Sequence, residues 1–152
     1  MEVKYMQAAV KQAKKAFEKD EVPIGAVIVK DGKIIARAYN RTESKNDATA
    51  HAEIVCIRKA CKKVGDWRLN GAEMYVTLEP CAMCAGAIVN ARISAVYFGA
   101  YEKKSGCAVS KYPVLSDSGL NHSVTFTGGV EEDVCAELIK EYFKGKRQPK
   151  HS

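Results

Sequence analysis

Apolar residues recur every three or four positions from the start of the chain: Val3, Met6, Val10, Ala13 and Phe17, with Lys4, Lys11, Lys14 and Lys15 on the other side. That spacing predicts an amphipathic helix ending near Asp20. Pro23 blocks further helix, and the period changes. Residues 24–29 and 33–39 are short apolar runs flanking Asp31-Gly32, a dipeptide suited to a type I′ turn, so they predict a β-hairpin. A polar stretch, 40–49, follows, with Asp47 and Thr49 as candidate caps for a second helix. Ile54, Ile57, Cys61 and Val64 give that helix its expected buried face, and Gly65 suits its C-terminal end. Next come a strand over 74–78, a helix with Pro80 in its first turn running to about residue 91, and a strand over 93–98. Residues 100–122 read as a loop with Gly106, Pro113 and Gly119, long enough to suggest a functional segment. Val124 and Phe126 alternate in a short strand that Gly128-Gly129 ends. The last helix opens on Glu131-Glu132-Asp133 and closes on Lys144, Lys146 and Arg147, the charge order a helix dipole favours.

This order predicts one mostly buried sheet with helices on both faces, an α/β fold. No repeat or linker interrupts it, so residues 1–152 are expected to form a single domain. An apolar share of 47% and a charged share of 28% are those of an ordinary globular protein. No apolar run approaches the roughly 20 residues of a membrane span. Met1-Glu2-Val3-Lys4 runs straight into the amphipathic pattern, so no export signal is expected. A cytoplasmic location with reduced thiols then fits the six cysteines, of which Cys56, Cys61, Cys107 and Cys135 show no framework spacing. Cys56, Cys61 and Cys135 lie on apolar helix faces and read as small core residues, and Trp67 and Tyr75 read as packing. The net charge of +6 is compatible with a polyanionic partner. The end of the chain, 144–151, is basic without one acid, which by itself fits a solvated terminus equally well.

Two short stretches carry chemistry. One is His51-Ala52-Glu53; the other is Pro80-Cys81-Ala82-Met83-Cys84. Together they offer an imidazole and two thiolates to one metal, leaving a fourth tetrahedral position open for water, and a carboxylate free to move protons. Cys81 and Cys84 share one face in the first turn of their helix, where unpaired N–H groups stabilise thiolates. His51 and Glu53 are two apart and do not face each other on a regular helix, so both can serve one site only if that helix begins near residues 49–51. Each stretch alone is weak. Cys-x-x-Cys also occurs in redox motifs and closed zinc sites, but the further ligands such a site needs (His122, His151, Cys107, Cys135) are isolated.

H-x-E…P-C-x-x-C is the signature of zinc-dependent nucleobase deaminases. At these residues the chain resembles the cytidine deaminase-like superfamily, and within it the bacterial tRNA-specific adenosine deaminases. The likeness covers nearly the whole chain. It is strongest over residues 22–27, 49–53, 68–72 and 75–87, the last reading Tyr-Val-Thr-Leu-Glu-Pro-Cys-Ala-Met-Cys-Ala-Gly-Ala. The resemblance implies a three-layer α/β/α sandwich around a mixed five-stranded sheet. It implies His51, Cys81 and Cys84 as ligands of one Zn2+ per subunit, with Glu53 as the proton shuttle for a zinc-activated water. Asn40 and the backbone N–H of Ala52 would hold the base. Glu102, Tyr142, Phe143, Lys146 and Arg147 would contact the RNA, with the basic end at about 142–152. The implied substrate is the wobble adenosine of a tRNA anticodon stem-loop, converted to inosine by a homodimer with no membrane association.

Three positions depart from the family pattern. Ala48 stands where many members have Pro, Glu102 where Asp is common, and Gly145 interrupts the last basic turn. The zinc motif alone does not separate this reading from deamination of a free base or nucleoside, such as guanine or cytosine. A non-catalytic zinc-bearing RNA-binding subunit is a third reading, which the presence of Glu53 disfavours.

Overall fold

In the computed structural model, residues 1–115 and 122–147 are described, the side chain of Arg147 excepted. The elements in chain order are α1 (Val3–Glu18), β1 (Gly25–Lys30), β2 (Lys33–Tyr39), α2 (Thr42–Lys45), α3 (Ala52–Val64), β3 (Glu73–Leu78), α4 (Ala82–Asn90), β4 (Ala95–Ala100), β5 (Thr125–Thr127) and α5 (Glu132–Arg147). The alternating runs build a five-stranded sheet in the order β2-β1-β3-β4-β5. β1 is antiparallel to β2 and β3, while β4 is parallel to β3 and β5. The Asp31-Gly32 turn has positive φ at both residues, 52° and 72°, as a type I′ turn requires.

Two cores flank the sheet. One joins Ile28, Met74, Val76 and Phe98 to Cys56, Ala60 and Ile88 of α3 and α4. The other joins Val27, Val29 and Tyr75 to Met6, Ala9 and Val10 of α1 and to Cys135 of α5. Helices cover both faces, which is the three-layer α/β/α sandwich with a mixed five-stranded sheet. Among the described residues no helix is long and apolar enough to cross a membrane.

Several elements differ in detail from the pattern. The buried face of α3 is Ala52, Glu53, Val55, Cys56 and Ala60, whereas Ile54, Ile57 and Cys61 are half-buried and Val64 is exposed. The helix carries two apolar stripes, and the one with the smaller side chains lies against the sheet because it permits closer approach. In α1, Val3 and Phe17 are exposed, and Tyr5 and Ala16 complete the buried stripe instead. β4 starts at Ala95, since Arg92 takes a left-handed turn (φ 64°) and Ser94 N–H first bonds Ala72 O. Asp47 and Thr49 do not cap α3; Asp47 Oδ1 accepts both the N–H and the hydroxyl of Thr49 in a local turn. The polar stretch contains α2, whose Glu43 and Ser44 amides donate to the buried carboxylate of Glu21 at 3.0 and 2.7 Å. Tyr75 packs as expected at 1% exposure, but Trp67 is 52% exposed and lies beneath the Arg68 guanidinium, 4.3 Å from its ring. Cys56 and Cys135 are buried, and Cys61 is half-buried.

Candidate active site

The site lies beyond the C-terminal ends of β3 and β4, the parallel pair, where α/β folds place their ligands. Leu78 ends β3, and Pro80 lies outside α4, because Cys81 is that helix's N-cap. His51 is the N-cap of α3, with extended backbone angles (φ −68°, ψ 154°). The helix therefore starts where His51 and Glu53 can address one point. The His51 side chain makes no capping bond to α3, and the Cys81 sulfur bonds Cys84 in the first turn of α4, which holds both on the side where imidazole and thiols face each other.

They meet. Nδ1 of His51 lies 3.6 Å from Cys81 Sγ and 3.5 Å from Cys84 Sγ, and the three ligand atoms all fall within 4.8 Å of one another. Zinc bonds of about 2.0–2.1 Å to nitrogen and 2.3 Å to sulfur, set tetrahedrally, place N and S about 3.5–3.6 Å apart. The donor set and its spacing fit such an ion. Charge argues the same way. The Cys84 thiol pulls Cys81 down to about 4, against burial, while Cys84 is pushed up by its bond to Cys81 and by burial. His51 is raised, chiefly by its bond to Cys81.

Glu53 is 4% exposed, and its Oε1 has no hydrogen-bond partner among the described residues. Burial pushes its carboxyl up to about 7. A buried, unpartnered carboxylate oxygen beside a metal-capable cluster makes Glu53 the candidate proton carrier of the site. A cavity of about 240 Å³ opens on His51, Glu53 and Cys81 and is walled by Asn40, Thr42, Glu102 and Ser105. It is smaller than the roughly 300–1,000 Å³ of drug-sized sites, a size for one base. Asn40 is 4% exposed, its amide donating to Thr42 Oγ1 at 3.4 Å. Ala52 is the first residue of α3, so its N–H has no acceptor within the helix.

The RNA-contact candidates are divided. Glu102 is in the cavity wall and its carboxylate accepts the Lys104 N–H at 3.0 Å. Tyr142, Phe143 and Lys146 are outside it, in a larger neighbouring groove of about 590 Å³ that shares Val22 with the cavity but carries none of the cluster. There Tyr142 donates to Asp20 O at 3.2 Å and Lys146 pairs with Asp20 at 2.6 Å, so both tie α5 to the α1–β1 segment. Phe143 is 42% exposed. The Arg147 side chain and the tail at 148–152 lie outside the described residues.

One residue absent from the sequence reading organises the cavity wall. Glu79, 2% exposed, accepts Glu102 N–H (3.0 Å) and the Ser110 hydroxyl on Oε1, and the N–H groups of Ala108, Val109 and Ser110 (3.1, 2.8 and 2.9 Å) on Oε2. Burial alone would raise its carboxyl; these bonds, led by Ser110, hold it below the usual range. The loop wraps so closely that a Cβ on Gly106 would overlap Glu102 O and the Glu79 carboxyl. The available signals were an acid wedged between an apolar strand and Pro80, and a lone glycine in the loop.

Comparison with known proteins gives concordant likenesses. A family profile described as MafB19-like deaminase matches residues 2–147. A tRNA-specific adenosine deaminase of Bacillus subtilis (strain 168) is 49% identical over 146 residues, 96% of this chain and 91% of that one. A structure from a study of A-to-I editing by tRNA:A34 deaminases at the wobble position superposes with a TM-score of 0.87 at 48% identity, covering 90% of this chain and 99% of that one. A guanine deaminase from Bacillus subtilis gives a TM-score of 0.62 at 45% identity, covering 64% of this chain and 63% of that one.

Proposed function

This chain belongs to the MafB19-like deaminase family, and from that membership we propose that it hydrolyses adenosine to inosine and ammonia at the wobble position of a tRNA anticodon. The carrying observation is the meeting of His51, Cys81 and Cys84 beside a buried, unpartnered Glu53 oxygen in a one-base cavity. Relatives named for the tRNA reaction at 49% and 48% identity, each matched over more than nine-tenths of this chain, support RNA as the substrate.

His51, Cys81 and Cys84 would hold one Zn2+ per chain, and the bound ion supplies Lewis-acid activation of water at neutral pH. Glu53 accepts the attacking water's proton as the C6–O bond forms and delivers it to a ring nitrogen of the base. It then transfers the second proton to the departing amine as the C6–N bond breaks. A carboxyl held near neutrality by burial suits both transfers. Asn40 and the Ala52 N–H hold the edge of the base. Flipping costs a few kcal/mol in a duplex and less in a loop whose bases are already partly unstacked, which favours an anticodon over paired RNA. Glu102 bounds the cavity mouth, and the α5 end with Phe143 and Lys146 flanks the RNA.

Residues 1–152 act as one domain in this reading, as a homodimer. The half-exposed row Ile54, Ile57 and Cys61 of α3, continued by exposed Val64 and by Met83 on the charge-free helix α4, supplies an apolar face for a second copy. A cytoplasmic location goes with the substrate.

Purified protein offered an anticodon stem-loop with a wobble adenosine, and separately free adenosine, cytidine and guanine, tests the substrate. Inosine in the stem-loop without ammonia from the free compounds is expected. Ammonia from guanine alone would move the chain to the free-base reading that the guanine deaminase likeness represents.

A further inference from the structure

A second cationic surface lies away from the α5 end. In α1, Lys4, Lys11 and Lys15 fall on one side of the helix and border a groove of about 350 Å³ whose other bank is Arg37 of β2. Lys4 to Lys15 spans about 16 Å of helix axis. β2 is the edge strand, so the groove opens sideways to solvent. Arg37 faces this way because it pairs with Val27, whose side chain belongs to the α1 core, and partners across an antiparallel pair share a face. Tyr39 pairs with Gly25, against which α1 packs, and so faces the same way.

The strand leads from the groove to the cavity. After Arg37 come Tyr39, then Asn40 in the cavity wall, then Arg41, whose guanidinium lies 5.5 Å from the Tyr39 ring. Arg41 Nε is buried and has no acceptor among the described residues. Glu2 is within 3.8 Å of Lys4, while no ion pair among the described residues involves Lys11, Lys15, Arg37 or Arg41. An anionic polymer laid along the groove would therefore meet these four cations without first breaking an ion pair among the described residues. The Lys59 ammonium donates to Arg37 O at 2.9 Å, covering part of the strand edge against pairing with another strand.

We infer that the groove between α1 and β2, continued by Tyr39 and Arg41 to the cavity mouth, is a track for the sugar-phosphate backbone of RNA flanking the deaminated nucleotide. The inference rests on the wobble-deaminase reading and extends its substrate contact beyond the loop. The track is read by charge without base edges, so its contribution is sequence-independent and salt-sensitive.

The test compares binding of full-length tRNA with a wobble adenosine across a salt series, for the wild-type chain and two charge-matched triple variants. One is Lys11→Gln, Lys15→Gln and Arg37→Gln in the groove; the other is Lys30→Gln, Lys62→Gln and Lys63→Gln elsewhere. Each phosphate contact contributes a slope of about 0.7–0.9 in log K against log salt. The groove variant is expected to lose about 2 in slope and to raise KM roughly tenfold or more at moderate salt, with kcat at saturating tRNA within about twofold. The control variant is expected to keep the wild-type slope to within about 0.5. Wild-type slope and KM in the groove variant, or an equal loss in the control, would overturn the track while leaving the deaminase reading intact. A wild-type chain that forms no inosine in tRNA would instead overturn the deaminase reading and this inference with it.

Discussion

Replacing Glu79 by glutamine exchanges one oxygen of a five-donor acceptor for an amide that can only donate. With the retained oxygen at the Oε2 position, the Ala108, Val109 and Ser110 amides keep an acceptor but lose its charge, while the new NH2 group faces Glu102 N–H, which loses its partner. A hydrogen bond to a charged group contributes about 1.5–3 kcal/mol, and a stranded buried donor costs about 1–3 kcal/mol. Against this, removing the charge relieves the desolvation of a carboxylate that is 2% exposed. The net expectation is a loss of about 2–3 kcal/mol, with His51, Cys81 and Cys84 left in place. For a chain of this length that is about 4–12 °C in melting temperature. Amide exchange over residues 102–110 should quicken roughly 30- to 150-fold, since Glu102 N–H loses its acceptor and the 108–110 amides lose their charged one. Differential scanning calorimetry with hydrogen-exchange mass spectrometry reads both. A melting temperature within about 1 °C of wild type, with unchanged exchange over 102–110, would refute the view that this carboxylate holds the cavity wall.

Gly106→Ala attacks the same loop from its other side. The added methyl overlaps Glu102 O and the Glu79 carboxyl, so denaturant titration should show at least about 1–3 kcal/mol of destabilisation. Cys84→Ser removes a buried sulfur of the cluster and is expected to lose nearly all bound zinc by elemental analysis; full occupancy would sink the ligand assignment. Chelation of the wild-type chain should lower its melting temperature, and added zinc should restore it. Ile57→Lys puts a charge into the half-exposed apolar row of α3 and should shift a dimer to monomer in sedimentation, with the fold retained by circular dichroism.

The type and order of the main elements were legible because their periods differ: α1 repeats at helical spacing, and the hairpin shows two apolar runs around Asp31-Gly32. Faces were less legible. In α3 two apolar stripes compete, and the sequence favours the row of isoleucines, whereas the sheet takes the alanines and Cys56 because they allow the helix closer. Trp67 misleads similarly, since its size suggests burial but its ring supports a guanidinium at the surface.

At the site, the meeting of His51, Cys81 and Cys84 was readable because each stretch places its residues at a helix start, where N-cap geometry turns them inward. Glu79 and Glu21 were not readable as anchors. Their donors come from residues 102–110 and 43–44, and only the folded chain shows which amides lack other partners. The family resemblance implied RNA contacts for Tyr142 and Lys146, yet each has an internal partner at Asp20, so an RNA role for Lys146 requires exchanging that exposed ion pair for a phosphate. Such a pair costs little to open.

The most direct test of the central claim is conversion of adenosine to inosine in an anticodon stem-loop by the wild-type chain and by Glu53→Gln, with the zinc content of both measured on the same samples. The wild-type chain should convert the wobble adenosine with about one zinc per chain, and Glu53→Gln should hold the same zinc while turning over at least about 10²-fold more slowly. Conversion by Glu53→Gln at the wild-type rate, or by a zinc-free wild-type chain, would contradict it.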